Sequence, residues 1–425
     1  EAWMNPWLTR GLIVLGVALA LSGCDSGESS IQGVLVASPS TEVQLRVGTD
    51  AVGRMSYTIV YKDQTVVESS PMGLVSTTHD LSQGVTMFST TSRAIDESYT
   101  MLTGKRRERQ IVGSETRIPL RTTNGERAEL IVRAHEDGVA FRYHLLGEGV
   151  SQVTNELTGF AIPAGARVLT RAYDGGDAIY VPTAGEYQQP PVIVPLGDPV
   201  EASGFAFPTM FELDAGNSYL MVSEADLDRD YCATRFHETP NGNLYRIRFP
   251  DEREGRGIGE APPKASLPFM TPWRVISVGD LGTIVESTLI DDLSQPTVVG
   301  DTSWIEPGRA AWSWFSQETG TPELQSEYID FAADYGWEYV LIDAKWDQWD
   351  DAEQAVQDLV AQADAAGVRL LLWYNSGGPH TPSPMETPLN RMSPPEARQD
   401  EMEKIAGWGI AGIKVDFFNS DKQDR

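Results

Sequence analysis

The chain has 425 residues and a formal net charge of -28, from 33 Lys and Arg against 61 Asp and Glu. This length favours two domains, each with its own core, and the acidic balance argues against a nucleic-acid partner. The 5 histidines and 2 cysteines are scattered without zinc-ligand spacing, so a hard cation held by carboxylates would be the more natural metal.

The first 30 residues resemble an export signal followed by a polar tether. Residues 11–21 form an apolar run that is too short to span a bilayer but suits a signal-peptide core, and Arg10 supplies the preceding positive charge. The next letters, LSGC, resemble a bacterial lipobox, whose cysteine, here Cys24, is acylated after cleavage. A plain secretory cleavage site is the alternative. We therefore expect a bacterial envelope protein, lipid-anchored to a membrane through Cys24 and facing the periplasm or the cell surface.

Residues 31–294 show the pattern of a large antiparallel β-sandwich. Short alternating runs separated by Gly, Asn and Asp predict strands joined by tight turns, and Asp137-Gly138 is predicted to form a hairpin turn. No long helical period interrupts this part of the chain. The following residues, 295–308, contain Pro296 and Pro307 and are predicted to be a linker. The clearest strand patterns lie at residues 55–68, 128–146, 217–227 and 243–249.

From residue 309 the pattern changes to that of a parallel α/β sheet. Near-continuous apolar runs predict strands that are buried on both faces. Helix signals separate them, including Thr321-Pro322 with Gly336, Asp351 with Gly367, and a capping box at residues 393–396 with an end near Gly407. The first helix is predicted to bury Leu324, Tyr328, Phe331, Ala332 and Tyr335. The four strand runs are residues 309–315, 337–346, 368–376 and 410–418.

Four such units, about 120 residues, make half of a (β/α)8 barrel of roughly 250 residues. We therefore predict a multidomain β plus α/β fold, in which an N-terminal sandwich precedes the first half of a catalytic (β/α)8 TIM barrel at residues 309–425, truncated within the barrel. An open doubly wound sheet is the alternative. It would usually carry a glycine-rich first βα turn, which residues 314–324 lack.

Polar and aromatic side chains cluster where these four strands are predicted to end, which is the active-site face of a barrel. Indole rings beside carboxylates suit a sugar, because an aromatic face packs on a pyranose while acids handle its hydroxyls and glycosidic oxygen. A structural Asp416–Lys414 ion pair, solvated acids at residues 343–351, and a simple loop role for His380 are the alternatives. The candidates are Trp312, Trp314, Asp343, Lys345, Asn375, His380, Lys414 and Asp416.

The segments WSWF, YVLIDAKW, LLLWYNSGGPH and GIAGIKVDFFNSDKQ resemble the first four barrel strands of glycoside hydrolase family 97. The resemblance spans residues 31–425 and implies an N-terminal β-super-sandwich and an exo-acting enzyme on α-glucosides or α-galactosides. Retaining members place an aspartate nucleophile in a KVDF context, which is Asp416 here. Inverting members instead use a glutamate two residues beyond the histidine that follows the third strand, and this chain has Pro382 there. Both positions favour retention.

The resemblance also implies a calcium ion near the catalytic centre, with the acid/base glutamate and most calcium ligands on later strands. Glu186 is the candidate calcium ligand from the sandwich, and Glu224 is a weaker one. The leading hypothesis is a calcium-dependent retaining exo-α-galactosidase acting on α-linked galacto- or gluco-oligosaccharides, while the 425-residue chain alone is expected to be inactive. An inverting α-glucosidase of the same family and a non-catalytic sugar-binding lipoprotein remain the alternatives.

Overall fold

The fold is given by a computed structural model that describes residues 30–173, 191–200, 203–213, 216–418 and 420–424. Two predicted site residues, Cys24 and Glu186, lie outside the described residues. The lipid anchor and the sandwich calcium ligand therefore stay predictions. None of the helices in the described part of the chain is long and apolar enough to cross a membrane.

Antiparallel strands build the N-terminal part of the chain. Their sequences alternate apolar and polar residues, as in VQLRVGT and MSYTIVY, so one face of each strand is buried. In chain order they are β1 (Ser30–Ile31), β2 (Gly33–Ala37), β3 (Val43–Thr49), β4 (Met55–Tyr61), β5 (Gln64–Pro71), β6 (Leu74–Ser76), β7 (Thr86–Phe88), β8 (Thr91–Thr100), β9 (Glu108–Arg121), β10 (Arg127–His135), β11 (Gly138–Leu145), β12 (Val150–Glu156), β13 (Gly159–Ala161), β14 (Arg167–Thr170), β15 (Val192–Pro195), β16 (Thr209–Leu213), β17 (Ser218–Ala225), β18 (Arg235–Phe236), β19 (Leu244–Arg248), β20 (Lys264–Ser266), β21 (Phe269–Met270) and β22 (Trp273–Gly279).

Two large sheets face one another across a shared apolar core. Among the described residues, the first sheet runs β1-β7-β9-β10-β11-β22-β17-β16-β14-β15 and the second runs β18-β19-β13-β5-β4-β3-β2. Tyr57 of the second sheet packs edge-on against Phe141 of the first, with ring centroids 5.2 Å apart. The Tyr57 hydroxyl donates to the carbonyl of Gly159 at 2.9 Å, which satisfies its buried polar group. The core therefore lies between the sheets, as a sandwich requires.

The hairpin predicted at Asp137-Gly138 is present one residue earlier than expected. Gly138 pairs with His135 in the β10–β11 ladder, so the turn residues are Glu136 and Asp137. The glycine is the first residue of β11, where a Cβ atom would approach the carbonyl oxygen of Ile276 to 2.4 Å. Close approach of the neighbouring strand, rather than the turn, is the reason for glycine there.

Two short helices, α1 (Leu281–Glu286) and α2 (Leu289–Leu293), follow the last sandwich strand. The segment from Ser294 to Arg309 then contains no helix or strand, although Gln295 donates from its backbone to Asp226 of the sandwich at 2.9 Å. This irregular segment coincides with the predicted linker. It leads directly into the second set of strands.

Four parallel strands alternate with helices in the C-terminal part. The strands pair in the order β23-β24-β25-β26, and their apolar side chains pack on the helices to form a second core that includes Val340, Leu372 and Ile329. The elements are β23 (Ala310–Trp312), α3 (Trp314–Gln317), α4 (Pro322–Tyr335), β24 (Tyr339–Ile342), α5 (Ala352–Ala366), β25 (Arg369–Asn375), α6 (Pro395–Trp408) and β26 (Gly412–Asp416).

The predicted ends of α4 and α5 are confirmed. The Thr321 side chain accepts from the backbone N–H of Leu324 at the start of α4, and Gly336 takes a left-handed conformation at its end. Gly367 ends α5 in the same way. Gly336 and Gly367 have φ values of 63° and 73°, at which a residue with a side chain would be strained.

Two details of the predicted helices are wrong. Ser393 does not cap α6, because Pro394 holds the N-cap position without a side-chain hydrogen bond. The observed end at Trp408 does agree with the predicted end near Gly407. On the predicted buried face of α4, Ala332 is buried as expected, but Phe331 and Tyr335 are 41% and 66% exposed. The other buried residues of this helix are Gln325 and Ile329. Gln325 is buried because its amide donates to the side chain of Ser313 and to the carbonyl of Thr319, which periodicity does not reveal.

Candidate functional site

The carboxyl ends of the four parallel strands bring most of the predicted site residues together. Trp312 pairs in register with Leu341, two positions before Asp343. Lys414 pairs with Trp373, and Asp416 pairs with Asn375. Parallel strands have their carboxyl ends at the same end of the sheet, so the residues that follow them lie close together. The candidate site is therefore assembled from residues that are far apart in the sequence.

Asp343 is the buried acid of this site, with a side chain that is only 2% exposed. Its Oδ2 accepts from the indole Nε1 of Trp312 at 2.6 Å and from the Lys414 ammonium at 2.9 Å. Its Oδ1 accepts from the backbone N–H of Ala344 at 2.8 Å. A buried carboxylate needs this many donors because an unpaired one would be costly. Asp343 therefore fixes the position of both the lysine and the tryptophan.

Lys414 connects the two acids of the site. Its ammonium lies 4.4 Å from the centre of the Trp312 ring, a cation–π distance, and 3.9 Å from Oδ2 of Asp416. The bond to Asp343 is shorter by a full ångström. The lysine is thus held chiefly by Asp343, and its positive charge is directed toward Asp416 without saturating that carboxylate.

Asp416 presents the most accessible carboxylate among these strand-end residues, with a side chain that is 46% exposed. Its Oδ1 accepts from the backbone N–H of Phe417 at 2.8 Å, and its Oδ2 accepts from the indole of Trp373 at 3.2 Å. Its carbonyl accepts from the backbone of Ser376 at 2.9 Å. Two directional N–H donors and one nearby ammonium orient an otherwise open carboxylate, which is the arrangement an attacking group needs.

Asn375 and His380 lie in and after β25 but face different surroundings. Asn375 is fully buried, and its amide donates to Thr381 and to the carbonyl of Glu386, while its Oδ1 accepts from Gly377. These bonds shape the loop that follows β25. His380 is half-buried in that loop, and its Nδ1 lies 3.3 Å from the carbonyl of Arg256 in the sandwich. Asn375 therefore supports the site rather than facing it.

Trp314 is not on the first barrel strand, as the sequence predicted, because β23 ends at Trp312. It begins the short helix α3, where it is half-buried. The centre of its ring lies 5.7 Å from the ammonium of Lys345. Lys345 in turn lies 3.5 Å from a carboxylate oxygen of Glu386.

Sequence reasoning missed Trp373, whose indole donates directly to Asp416. The apolar run RLLLWYN made it look like an ordinary core residue of a buried strand. The signal that could have identified it is the parallel register, which places Trp373 opposite Lys414. That register becomes visible only once the strands are paired.

The described residues contain no group of three or more His, Cys, Asp or Glu side chains arranged to hold a metal ion. Glu224 accepts from the backbone and hydroxyl of Thr234 and from the guanidinium of Arg274 at 2.6 to 2.9 Å. Burial raises the pKa of Glu224. Its carboxylate is thus engaged in a buried ion pair, which does not fit the role of a free calcium ligand.

Two family descriptions match the chain almost end to end. Residues 36–296 match the family described as Glycosyl-hydrolase 97 N-terminal, and residues 304–425 match Glycoside hydrolase 97. The first match alone covers more than half of the chain. The division between the two matches falls within the irregular segment that joins the sandwich to the parallel sheet.

Two similar proteins have names that describe glycosidases. The "Probable retaining alpha-galactosidase" of Streptomyces bingchenggensis (strain BCW-1) is 31% identical over 427 residues, covering 97% of this chain and 61% of that protein. The crystal structure of a beta-arabinopyranosidase superposes with a TM-score of 0.86 at 32% identity, covering 92% of this chain and 63% of that one. The chain thus spans a little over three fifths of the length of these relatives.

A more distant structure shows the same fold. A glycoside hydrolase family 97 enzyme from Pseudoalteromonas sp. strain K8, in complex with panose, superposes with a TM-score of 0.73 at 20% identity, covering 91% of this chain and 59% of that one. The predicted fold class, an antiparallel super-sandwich followed by barrel strands, is confirmed by this likeness.

Proposed function

Because the chain belongs to glycoside hydrolase family 97, we propose that the full-length protein is a retaining exo-glycosidase that removes terminal α-galactosyl units, with Asp416 as its nucleophile. The observation that carries the proposal is the open Asp416 carboxylate, oriented by two N–H donors beside the Lys414 ammonium. The similarity to a protein described as a probable retaining alpha-galactosidase supports the choice of sugar.

In the proposed reaction an oxygen of Asp416 attacks the anomeric carbon while the bond from that carbon to the leaving-group oxygen breaks. The leaving oxygen takes a proton from a general acid, which in retaining enzymes lies about 5 Å from the nucleophile. Water, deprotonated by the same group, then attacks the anomeric carbon and releases Asp416. Two inversions give net retention. Glu residues in the later barrel strands of the family are the proposed source of this acid/base group.

The other residues of the site have distinct proposed roles. Lys414 and Asp343 bind sugar hydroxyls, and the Lys414 ammonium, 3.9 Å from Oδ2 of Asp416, helps to orient the nucleophile. The Trp312 and Trp314 rings pack against apolar patches of the sugar or of the leaving group. His380, in the loop after β25, contacts the sugar at the edge of the site. Asn375 holds that loop in place through its buried amide.

A terminal β-L-arabinopyranosyl unit is a second candidate substrate. The observation that favours it is the 32% identity and TM-score of 0.86 to a structure described as a beta-arabinopyranosidase. This sugar has the same ring stereochemistry as an α-D-galactopyranoside and lacks only the exocyclic hydroxymethyl group. The values of kcat/KM for 4-nitrophenyl α-D-galactopyranoside and 4-nitrophenyl β-L-arabinopyranoside decide between the two substrates. A pocket that binds the hydroxymethyl group would favour the galactoside.

The test of the reaction type is hydrolysis of 4-nitrophenyl α-galactoside by the full-length protein, followed by proton NMR of the first sugar released. The proposal predicts α-galactose, which mutarotates later. Release of the β anomer would identify an inverting enzyme of the same family. No release of any α-linked sugar would leave a sugar-binding lipoprotein as the better account.

Calcium and the lipid anchor remain part of the proposal on the strength of the sequence resemblance. Calcium is proposed to bind near the catalytic centre with Glu186 as one ligand, and it would polarise and orient groups there. Dialysis against EGTA should lower the thermal stability of the full-length protein. Adding calcium should restore that stability, and adding magnesium should not. Anchoring through Cys24 predicts that Cys24→Ser releases the protein from the membrane fraction, and retention there would contradict it.

A further inference from the structure

The sandwich and the barrel strands meet at a buried charged cluster just beyond β26. Arg235 and Glu254 of the sandwich have side chains that are 1% and 0% exposed, and they pair at 2.7 Å. The Tyr173 hydroxyl donates to Oδ2 of Asp421 at 2.5 Å, and the Arg235 guanidinium lies 4.1 Å from the Tyr173 ring centre. We call Tyr173, Arg235, Glu254 and Asp421 the interdomain cluster.

The sandwich holds the backbone of Asp421 as well as its side chain. The N–H of Asp421 donates to Oε2 of Glu254 at 2.8 Å, and its carbonyl accepts from the N–H of Ala233 at 3.0 Å. The next residue, Lys422, is buried and donates to the carbonyls of Glu252 and Gly259 at 2.9 and 3.2 Å. The segment after β26 is therefore fixed by the sandwich at two successive residues.

The same sandwich turn also reaches the segment that follows β25. Residues Glu254–Gly257 form a short turn in which Arg256 has a φ of 50°, a conformation that side chains rarely adopt. The carbonyl of Arg256 lies 3.3 Å from Nδ1 of His380. One turn thus contacts the polypeptide beyond both strands that carry the centre of the candidate site.

The electrostatics of this cluster favour a positioning role over general stability. A buried ion pair is often no better for stability than an apolar substitute, because desolvation of the two charges offsets their attraction. Burial raises the pKa of Glu254, and burial together with the charge of Asp421 raises the pKa of Tyr173, which keeps its hydroxyl a donor. What the cluster offers is direction, since each bond fixes one atom of the segment after β26.

We propose that the interdomain cluster positions the nucleophile, so that Tyr173, Arg235 and Glu254 of the sandwich are positioning residues for Asp416 of the barrel. The inference rests on the proposed function. The strand that ends at Asp416 is held on one side by its pairing with β25 and beyond its end by Asp421. Loosening Asp421 lets the carboxylate of Asp416 depart from its line of attack on the anomeric carbon.

Asp421→Asn and Tyr173→Phe in the full-length protein test this proposal. Both keep the size of the side chain, while the first removes the charge opposite Arg235 and the second removes the donor to Asp421. Displacement of a reacting group by about an ångström can cost roughly 100-fold, so we expect kcat/KM for 4-nitrophenyl α-galactoside to fall at least about 10-fold in Asp421→Asn. The inhibition constant for galactose should stay within about twofold, because sugar contacts are unchanged.

Glu238→Gln is the matched control. Arg248 is the cross-strand partner of Arg235, donates to the same Ser203 carbonyl, and pairs with Glu238 at 2.8 Å. Glu238 thus pairs with the arginine opposite Arg235, as Asp421 pairs with Arg235 itself. Unlike Asp421, Glu238 belongs to the sandwich and does not connect it to the segment after β26. This variant should keep wild-type kcat/KM.

Azide rescue of a variant that lacks the nucleophile separates an effect on the position of Asp416 from other effects on activity. In Asp416→Gly, azide attacks the anomeric carbon, a carbon–nitrogen bond forms, and nitrophenolate leaves with the electron pair of the broken carbon–oxygen bond. Since no carboxylate remains to be positioned, adding Asp421→Asn should leave the rescued rate unchanged. An equal loss in both backgrounds would overturn the proposal, and so would wild-type kcat/KM in Asp421→Asn.

Failure of the proposed function gives a different result. Substantial turnover by Asp416→Gly without azide would remove the nucleophile assignment itself, and the positioning role with it. If Asp416→Gly is inactive and azide does not rescue it, the test relies on two constants of Asp421→Asn, kcat/KM and the inhibition constant for galactose. A lower kcat/KM with an unchanged galactose inhibition constant supports positioning, whereas parallel changes in both contradict it.

Discussion

Two aspartates at neighbouring strand ends acquire different characters from their surroundings. Asp343 is almost fully buried and is bound by three donors, while Asp416 is nearly half exposed and is oriented by two. The sequence could identify both as acids that follow apolar strands. It could not distinguish the buried one from the open one, because Trp312 and Trp373, which donate to them, are distant in the chain. Burial and partners separate the two only after the strands pair.

A buried carboxylate in the sandwich allows a pH prediction. Glu115 is bound by Arg93 and Arg133 at 2.8 to 3.3 Å, and these partners lower its pKa from 4.5 to about 2 despite the opposing effect of burial. Its folded pKa is depressed, so its stabilising contribution is fully present above pH 4.5 and is lost as the pH falls toward about 2.

Glu115→Gln should therefore lower the free energy of unfolding by about 2 kcal/mol at neutral pH, as expected for charged hydrogen bonds. Urea denaturation from pH 7 to pH 2.5 should show the difference from wild type shrinking below about pH 4.5. Glu108→Gln on the same strand is the control, because that carboxylate is mostly exposed and lies 3.9 Å from Arg107. A Glu115→Gln deficit that is independent of pH would contradict the ion-pair account.

At the scale of elements, local signals predicted ends better than faces. Proline after Thr321 and glycine at 336 fixed the limits of α4, because capping depends on a few adjacent residues. Its buried face depended instead on which neighbours it meets. Buried Gln325 joins α4 to Ser313 and Thr319 in the loop after β23, while Phe331 packs near the surface against Tyr335 with ring centroids 4.6 Å apart.

The cap of α4 can be tested directly. Thr321→Ala removes the hydroxyl that accepts from Leu324, which should destabilise the barrel part by about 1 kcal/mol. The measurement is the urea midpoint of the full-length protein, followed by tryptophan fluorescence. Glu327→Ala, an exposed change within the same helix, should shift the midpoint much less. Equal shifts for the two variants would show that the cap contributes nothing specific.

At the scale of the whole molecule, alternation of apolar residues predicted the sandwich, and near-continuous apolar runs predicted the parallel strands. The order of strands in the large sheets and the contact between the two parts were beyond prediction. Asp421 meets Tyr173 and Arg235 through packing of two separate cores, and no local pattern marks these residues as partners. The sandwich is therefore more than an accessory, because its residues hold the segment that follows the proposed nucleophile.

We propose that Asp416 forms a covalent glycosyl-enzyme, and this intermediate can be trapped. Brief incubation of the full-length protein with a slow activated galactoside, such as the 5-fluoro-α-galactosyl fluoride, should trap this intermediate, and peptic digestion with mass spectrometry should locate it. We expect one added sugar unit on the peptide that contains Asp416, at the carboxylate of that residue, and none in Asp416→Ala. A sugar on any other residue, or an active enzyme that is never labelled and releases the inverted anomer, would contradict it.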